Sequence, residues 1–199
     1  MTETAIRIIF ALLFFTVLAY GGYHRHRAHR QNDSFRRMEN EGTATFLLLR
    51  CIGGALWLTG LLFPFAPAWF DAVRLPFPEP VRWGGILFAA AALPMGYSLF
   101  RNIGRNITDT VETRAEHELV TTGIYRYIRH PLYTTGFLFF SGLGLLSGVW
   151  PMLLLSSAVL YLLHRRTETE ERFLLQRFGQ RYEEYRATTG RFFPNIFTH

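Results

Sequence analysis

Two polar stretches in an otherwise apolar chain hold the residues with chemistry to offer. The first, residues 101–133, contains Gly123-Ile124-Tyr125 and ends in Arg129-His130-Pro131-Leu132-Tyr133. Pro131 cannot sit inside a helix but suits the first turn of one. His130 therefore falls at the cap of the helix that follows. A helix start presents unpaired N–H groups and the positive end of the helix dipole, and both attract anions. An ordinary interfacial loop, with Tyr125, Tyr127 and Tyr133 in an aromatic belt, accounts for the same residues equally well. The second stretch, residues 164–194, reads as a helix leaving an apolar region. Leu174, Leu175 and Phe178 form one stripe, and Gly179 marks a stop or kink. Arg166 and Glu170 are four apart and share a helix face. On spacing alone they form a surface ion pair worth a few tenths of a kcal/mol.

Other constellations carry less. His24, His26 and His29 lack cysteine or carboxylate partners at helical spacing and read as a basic loop, so no metal site is expected. Gly142-x-Gly144 has no strand before it and is not a dinucleotide loop; small residues there favour close helix packing. The single cysteine, Cys51, excludes an internal disulfide framework and falls inside an apolar run, where a buried and inert thiol is expected. No serine or cysteine nucleophile motif is present.

The elements that must position these residues are apolar helices. Of 199 residues, 49% are hydrophobic and only 18% charged, against roughly 25% charged in soluble domains. Four apolar runs stand out, at residues 6–23, 44–66, 81–100 and 132–163. A spanning helix needs about 20 such residues, so the first three qualify. The fourth would be roughly 48 Å long as one helix, against a hydrocarbon core of about 30 Å. Gly148-Val149-Trp150-Pro151 breaks it, giving a hairpin with arms at about 132–147 and 150–165. The first run lacks the basic start and cleavage site of a signal peptide and reads as a retained anchor.

All 21 basic residues are arginine, and the formal net charge is +6. Such a basic chain could bind nucleic acid, but the placement of charge gives another reason for it. Residues 24–37, 101–130 and the tail after Leu163 are arginine-rich, whereas residues 67–80 hold only Arg74. With five spans the three rich segments share one side, which the positive-inside rule makes cytoplasmic. The N-terminus then lies outside and the C-terminus inside. No nucleic-acid module accompanies the charge. Arg50, inside the second run, either snorkels to the interface or faces a polar cavity. The expected fold is all-α: a single membrane domain over residues 1–199 with about five transmembrane helices, a helical hairpin and a cytoplasmic C-terminal helix. Residues 1–100 supply three spans and residues 101–199 the remainder. A lysine-free, arginine-rich chain points to a GC-rich genome, hence a bacterium and its inner membrane.

The linked motifs resemble the isoprenylcysteine carboxyl methyltransferase family and, more broadly, phospholipid methyltransferase-like membrane enzymes. They comprise His117-Glu118-Leu119-Val120, Gly123-Ile124-Tyr125 and Arg129 to Tyr133. After the apolar hairpin come Arg166, Glu170-Glu171, Phe178-Gly179, Tyr182, Tyr185 and Phe193-Pro194. The resemblance runs over about 95 residues, 102–194. It implies an S-adenosylmethionine-dependent methyltransferase with S-adenosylhomocysteine as product and a lipophilic or lipidated acceptor reached from the bilayer. It further implies that His117, Glu118, Leu119, Val120, Tyr125, His130, Pro131, Leu132 and Tyr133 contact the cofactor, with Glu170 its acidic ligand. Arg166 would engage the acceptor, and Glu171 would serve as base if the acceptor is a lipid amine. Thr110 stands where the family usually has a longer amide. A membrane reductase using NADPH and a non-enzymatic scaffold are the competing readings; neither a pyrophosphate motif nor a further nucleotide-binding signal supports the reductase.

Overall fold

The structure is a computed structural model that describes residues 1–29, 43–103 and 119–195. Among these residues it is helical throughout, with only two isolated bridges of extended backbone. Six α-helices follow in order: α1 (Glu3–His29), α2 (Thr43–Leu62), α3 (Glu79–Ile103), α4 (Pro131–Ser147), α5 (Trp150–Phe178) and α6 (Gln180–Thr188). Short 3-10 turns lie at Pro67–Val73 and Gly123–Arg126. Three helices have the length and apolarity to cross a membrane, over Glu3–His24, Ala44–Leu62 and Glu79–Asn102. They correspond to the first three apolar runs. The fourth run is the expected hairpin, turning at Gly148 and Val149. Gly148 adopts φ 80°, and a Cβ there would lie 2.5 Å from the Leu75 carbonyl oxygen.

The α4 arm spans 17 residues, about 25 Å at 1.5 Å per residue. It is the centre of the bundle, with most of its length buried between α1, α3 and α5. Aromatic rings tie it to its neighbours. Trp57 of α2 meets Phe140 at 5.3 Å, and Phe14 of α1 meets Trp57 at 5.4 Å. The α5 arm runs without a break to Phe178, 29 residues in all, or about 44 Å. Its last third therefore projects past the apolar layer.

Glycine sets the α3–α4 contact. A Cβ on Gly142 would fall 2.6 Å from the Gly85 carbonyl oxygen and 2.6 Å from the Ala89 nitrogen, and one on Gly85 would fall 2.6 Å from the Gly142 oxygen. The two backbones touch here, as the small residues of the sequence led one to expect. Gly142→Val should force the helices apart and cost about 1–3 kcal/mol or more. A lowered unfolding midpoint in detergent micelles checks this; an unchanged midpoint would refute the contact.

At the other end of α4, two arginines satisfy its last carbonyls. Arg74 Nε donates to Ser147 O at 3.1 Å and Arg82 Nη1 to Leu146 O at 2.6 Å. Cationic donors at a helix C-terminus also oppose its dipole. Arg74 is itself held bidentately by Glu3, at 3.1 and 2.8 Å. Arg50 is exposed, with its guanidinium 4.5 Å from the centre of the Phe46 ring one turn back along α2. Cys51 departs from expectation. It is exposed on the outer face of α2, because α2 buries only one narrow stripe containing Leu56.

Candidate active site

The candidate site lies where the start of α4 meets the part of α5 that projects beyond the apolar layer. His130 caps α4, with Pro131 in the first turn, and its carbonyl accepts the Tyr133 N–H at 3.2 Å. Glu170 and Glu171 are consecutive on α5, about 100° apart around the helix, and so bracket the imidazole. His130 Nδ1 lies 3.3 Å from Glu170 Oε2, and Nε2 lies 3.1 Å from Glu171 Oε1. Only the imidazolium has a proton on each nitrogen to donate to both carboxylates.

Each carboxylate has further partners. Glu170 Oε1 accepts from the Tyr133 hydroxyl at 2.6 Å and Arg166 Nε at 2.8 Å. Glu171 accepts from Arg129 Nε at 3.1 Å on one oxygen and Arg191 Nη2 at 3.2 Å on the other. The Tyr133 ring stacks on His130 with centroids 5.6 Å apart. Side-chain exposure is 5% for Glu171, 8% for His130, 15% for Glu170 and 16% for Arg166. The Arg166–Glu170 pair is thus not a solvated surface pair, because the start of α4 packs against that face of α5, with His130 and Tyr133 on Glu170.

Burial alone would lower the basicity of His130; its hydrogen bonds to Glu170 and Glu171, and their charges, more than reverse this and raise its pKa. Burial likewise opposes ionisation of Glu170, but the His130 bond, the Arg166 and His130 charges and the Tyr133 hydroxyl hold it below the usual carboxylate range. For Glu171, burial is outweighed by the His130 bond and the charges of Arg129, His130 and Arg191, which bring it to about 2. Stability from the depressed carboxylates is present above their ordinary values and lost as pH falls through the folded ones. Stability from the raised His130 is full below its ordinary value and lost as pH rises through the folded one. The unfolding midpoint should therefore be highest between roughly pH 5 and 6.5 and fall on both sides. A scan in buffered micelles tests this, and a midpoint rising steadily to pH 9 would contradict it.

The other expected site residues are placed unevenly. Pro131 is buried at the start of α4, and Tyr125 lies in the 3-10 turn, its carbonyl accepting the Tyr185 hydroxyl at 2.6 Å. Leu119 and Val120 are half-buried in the irregular segment before that turn. Leu132 is 52% exposed and is not one of the buried groups of the cluster. Thr110, His117 and Glu118 lie outside the described residues. Arg129 and Arg191 belong to the cluster although sequence reasoning gave neither a role. Arg129 sat inside the motif that singled out His130. Nothing local marks Arg191, which reaches the site only because the chain folds back after α6.

An all-helical membrane bundle with a buried histidine, two carboxylates and three arginines at one end defines a membrane protein with a polar interfacial site. The chain belongs to the phospholipid methyltransferase family, whose profile matches residues 81–181, half of the sequence. It is 44% identical over 72 residues to the protein-S-isoprenylcysteine O-methyltransferase of Schizosaccharomyces pombe, covering 36% of this chain and 30% of that protein. With the enzyme of the same name from Dictyostelium discoideum it shares 29% identity over 152 residues, 70% of this chain and 56% of that one. A cobalt-zinc-cadmium resistance protein of Cupriavidus metallidurans is 37% identical over 89 residues, 43% of this chain and 40% of that one. The chain thus spans between about a third and somewhat over half of these relatives. In fold it is similar to the eukaryotic intramembrane Ras methyltransferase, isoprenylcysteine carboxyl methyltransferase. That match has a TM-score of 0.52 and 22% identity, covering 80% of this chain and 55% of that one. The family resemblance and the all-helical membrane fold expected from the sequence are both borne out.

Proposed function

We propose that this chain is an integral-membrane methyltransferase that uses S-adenosylmethionine and acts on a lipophilic acceptor arriving from the bilayer. The observation that carries the reading is the buried Glu170 carboxylate, held by His130, Tyr133 and Arg166 beside the start of a helix. When bound, S-adenosylmethionine supplies an electrophilic methyl on a sulfonium centre.

The donor set suits such a molecule. Glu170 would hold its ammonium by a charge-assisted hydrogen bond. Arg129, Arg166 and Arg191 exceed the two carboxylates by one charge even before His130 is counted. That surplus, with the N-terminus of α4, favours a carboxylate. The ring faces of Tyr125 and Tyr133 would favour the sulfonium by about 0.5–2 kcal/mol. Leu119, Val120 and Pro131 would line the remainder, and the sequence resemblance adds Leu132, His117 and Glu118 as cofactor contacts. Arg166, four residues before Glu170, would orient an anionic acceptor bidentately.

Glu171 would fit poorly the role of base considered for a lipid amine. Facing three cations and ionising at about 2, it is a poor proton acceptor near neutral pH. This favours an acceptor that needs no deprotonation at the site, such as a carboxylate or thiolate on a prenyl or acyl chain. By the positive-inside rule the site would face the cytoplasm with the N-terminus outside, and the lysine-free composition favours a bacterial inner membrane.

Incubating membranes that contain the protein with methyl-labelled S-adenosylmethionine and small prenyl-cysteine or fatty-acyl carboxylates tests the proposal. Label should enter the organic phase and not do so with Arg166→Ala. No transfer to any carboxylate or thiolate, with transfer to lipid amines instead, would overturn the acceptor class.

A further inference from the structure

The segment after α6 folds back along the site as a strap. The Gly190 N–H donates to the Tyr127 oxygen at 3.2 Å, the Arg129 N–H to the Gly190 oxygen at 2.8 Å and the His130 N–H to the Arg191 oxygen at 3.0 Å. The Thr134 hydroxyl donates to the Phe192 oxygen at 2.8 Å. The Arg129 guanidinium reaches the Arg186 oxygen at 3.0 Å and also the Thr189 oxygen. Gly190 in the strap admits no side chain, since a Cβ there would strike the Phe193 carbonyl. Arg191 therefore leaves the strap in a fixed place, and its guanidinium lies against Glu171 Oε2.

That contact divides the two oxygens of Glu171. Arg191 occupies Oε2, while Arg129 Nε and His130 Nε2 share Oε1. Without Arg191, the better arrangement for a buried carboxylate is a two-oxygen fork with the Arg129 guanidinium. Such a fork would draw Glu171 away from His130. We propose that Arg191 is a positioning residue: by holding Oε2 it keeps Oε1 on His130 and so keeps the imidazole aimed at Glu170. Nothing in the comparisons gives this strap residue a role. Its consequence for ligand binding rests on the reading of Glu170 as the cofactor's ammonium ligand; its consequence for His130 does not.

Two effects of removing Arg191 have opposite signs. The groups facing His130 are Glu170, Glu171 and Arg166 from α5, Arg129 and Tyr133 from its own segment and α4, and Arg191 from the strap. Tyr182, Tyr185 and Arg186 on α6 stand behind Glu171 and Arg129. If Arg191 were only a nearby cation, its loss would raise the His130 titration midpoint. If it positions Glu171, its loss removes a hydrogen bond to the imidazolium, and the midpoint falls.

The test is a nitrogen NMR titration of ligand-free, histidine-labelled protein in micelles, with His130 identified as the signal absent from His130→Gln. Arg191→Gln should lower the His130 midpoint by about one pH unit, and Arg191→Lys should restore most of it. Affinity for S-adenosylhomocysteine should weaken about tenfold in Arg191→Gln, the same coupling expressed as binding. A midpoint that rises or stays put in Arg191→Gln overturns the proposal, even if thermal stability drops. Should Arg191→Gln fail to fold, Arg191→Met, which also removes the cation but keeps the aliphatic stem, decides: a lowered midpoint supports positioning, and a raised or unchanged one refutes it. If the wild-type protein binds no S-adenosylhomocysteine, the cofactor reading fails while the titration still decides the role of Arg191.

Discussion

Glu171→Ala should be the most destabilising single substitution at the site, lowering stability by about 3–5 kcal/mol. Three cationic groups converge on this carboxylate: Arg129, His130 and Arg191. His130 is buried and Arg129 nearly so, and Arg129 is further tied to the Arg186 and Thr189 carbonyls, so neither turns readily to water. Removing one partner of a buried ionic cluster leaves the others desolvated and uncompensated, which costs far more than the cluster contributes net. For a chain of this size the unfolding midpoint in micelles should drop by roughly 10 °C. Glu171→Gln keeps the shape and part of the hydrogen bonding, so it should fall between wild type and alanine. Equal midpoints for all three proteins would show that the carboxylate does not hold this end of the molecule.

Glu170→Gln should do the reverse, costing the fold much less than Glu171→Ala and removing ligand binding. Its partners have other recourse: His130 keeps Glu171, and Arg166 and Tyr133 lie toward the edge of the cluster. What is lost is the one buried carboxylate free to exchange its internal partners for a ligand ammonium. Truncating a charged partner of this kind costs about 2–5 kcal/mol of binding. Affinity for S-adenosylhomocysteine should therefore fall between about thirtyfold and several thousandfold. Equilibrium dialysis against the labelled ligand measures it, with thermal unfolding of the same samples as the check on folding. A variant that binds within threefold of wild type would remove Glu170 from the cofactor site.

Much of this molecule is legible along the chain because apolar runs and helix breakers act locally. The hairpin turn at Gly148 and the cap at His130 follow from glycine and proline stereochemistry. The α3–α4 contact follows from glycine's missing side chain. The site was legible only in part. Arg166 and Glu170 share a face by their spacing, but spacing cannot say whether that face meets water or another segment. The groups that bury the pair, His130 and Tyr133, lie on another helix start, with Tyr133 37 residues back along the chain from Glu170, and the segment beyond Gly179 closes on residues 127–134 by long-range contacts as well. Arg191 was illegible for the same reason, since it lies outside any helix and its partner is 20 residues away on α5. Cys51 erred in the opposite direction: an apolar run in a membrane protein faces lipid as readily as the interior.

The central claim is that the His130–Glu170 end of the bundle is a cofactor site. Calorimetric titration of the purified wild-type protein in micelles at pH 7 with S-adenosylhomocysteine tests it most directly. The account predicts saturable binding of one ligand per chain, lost in Glu170→Gln. No saturable heat from protein that unfolds cooperatively in the same micelles would contradict it.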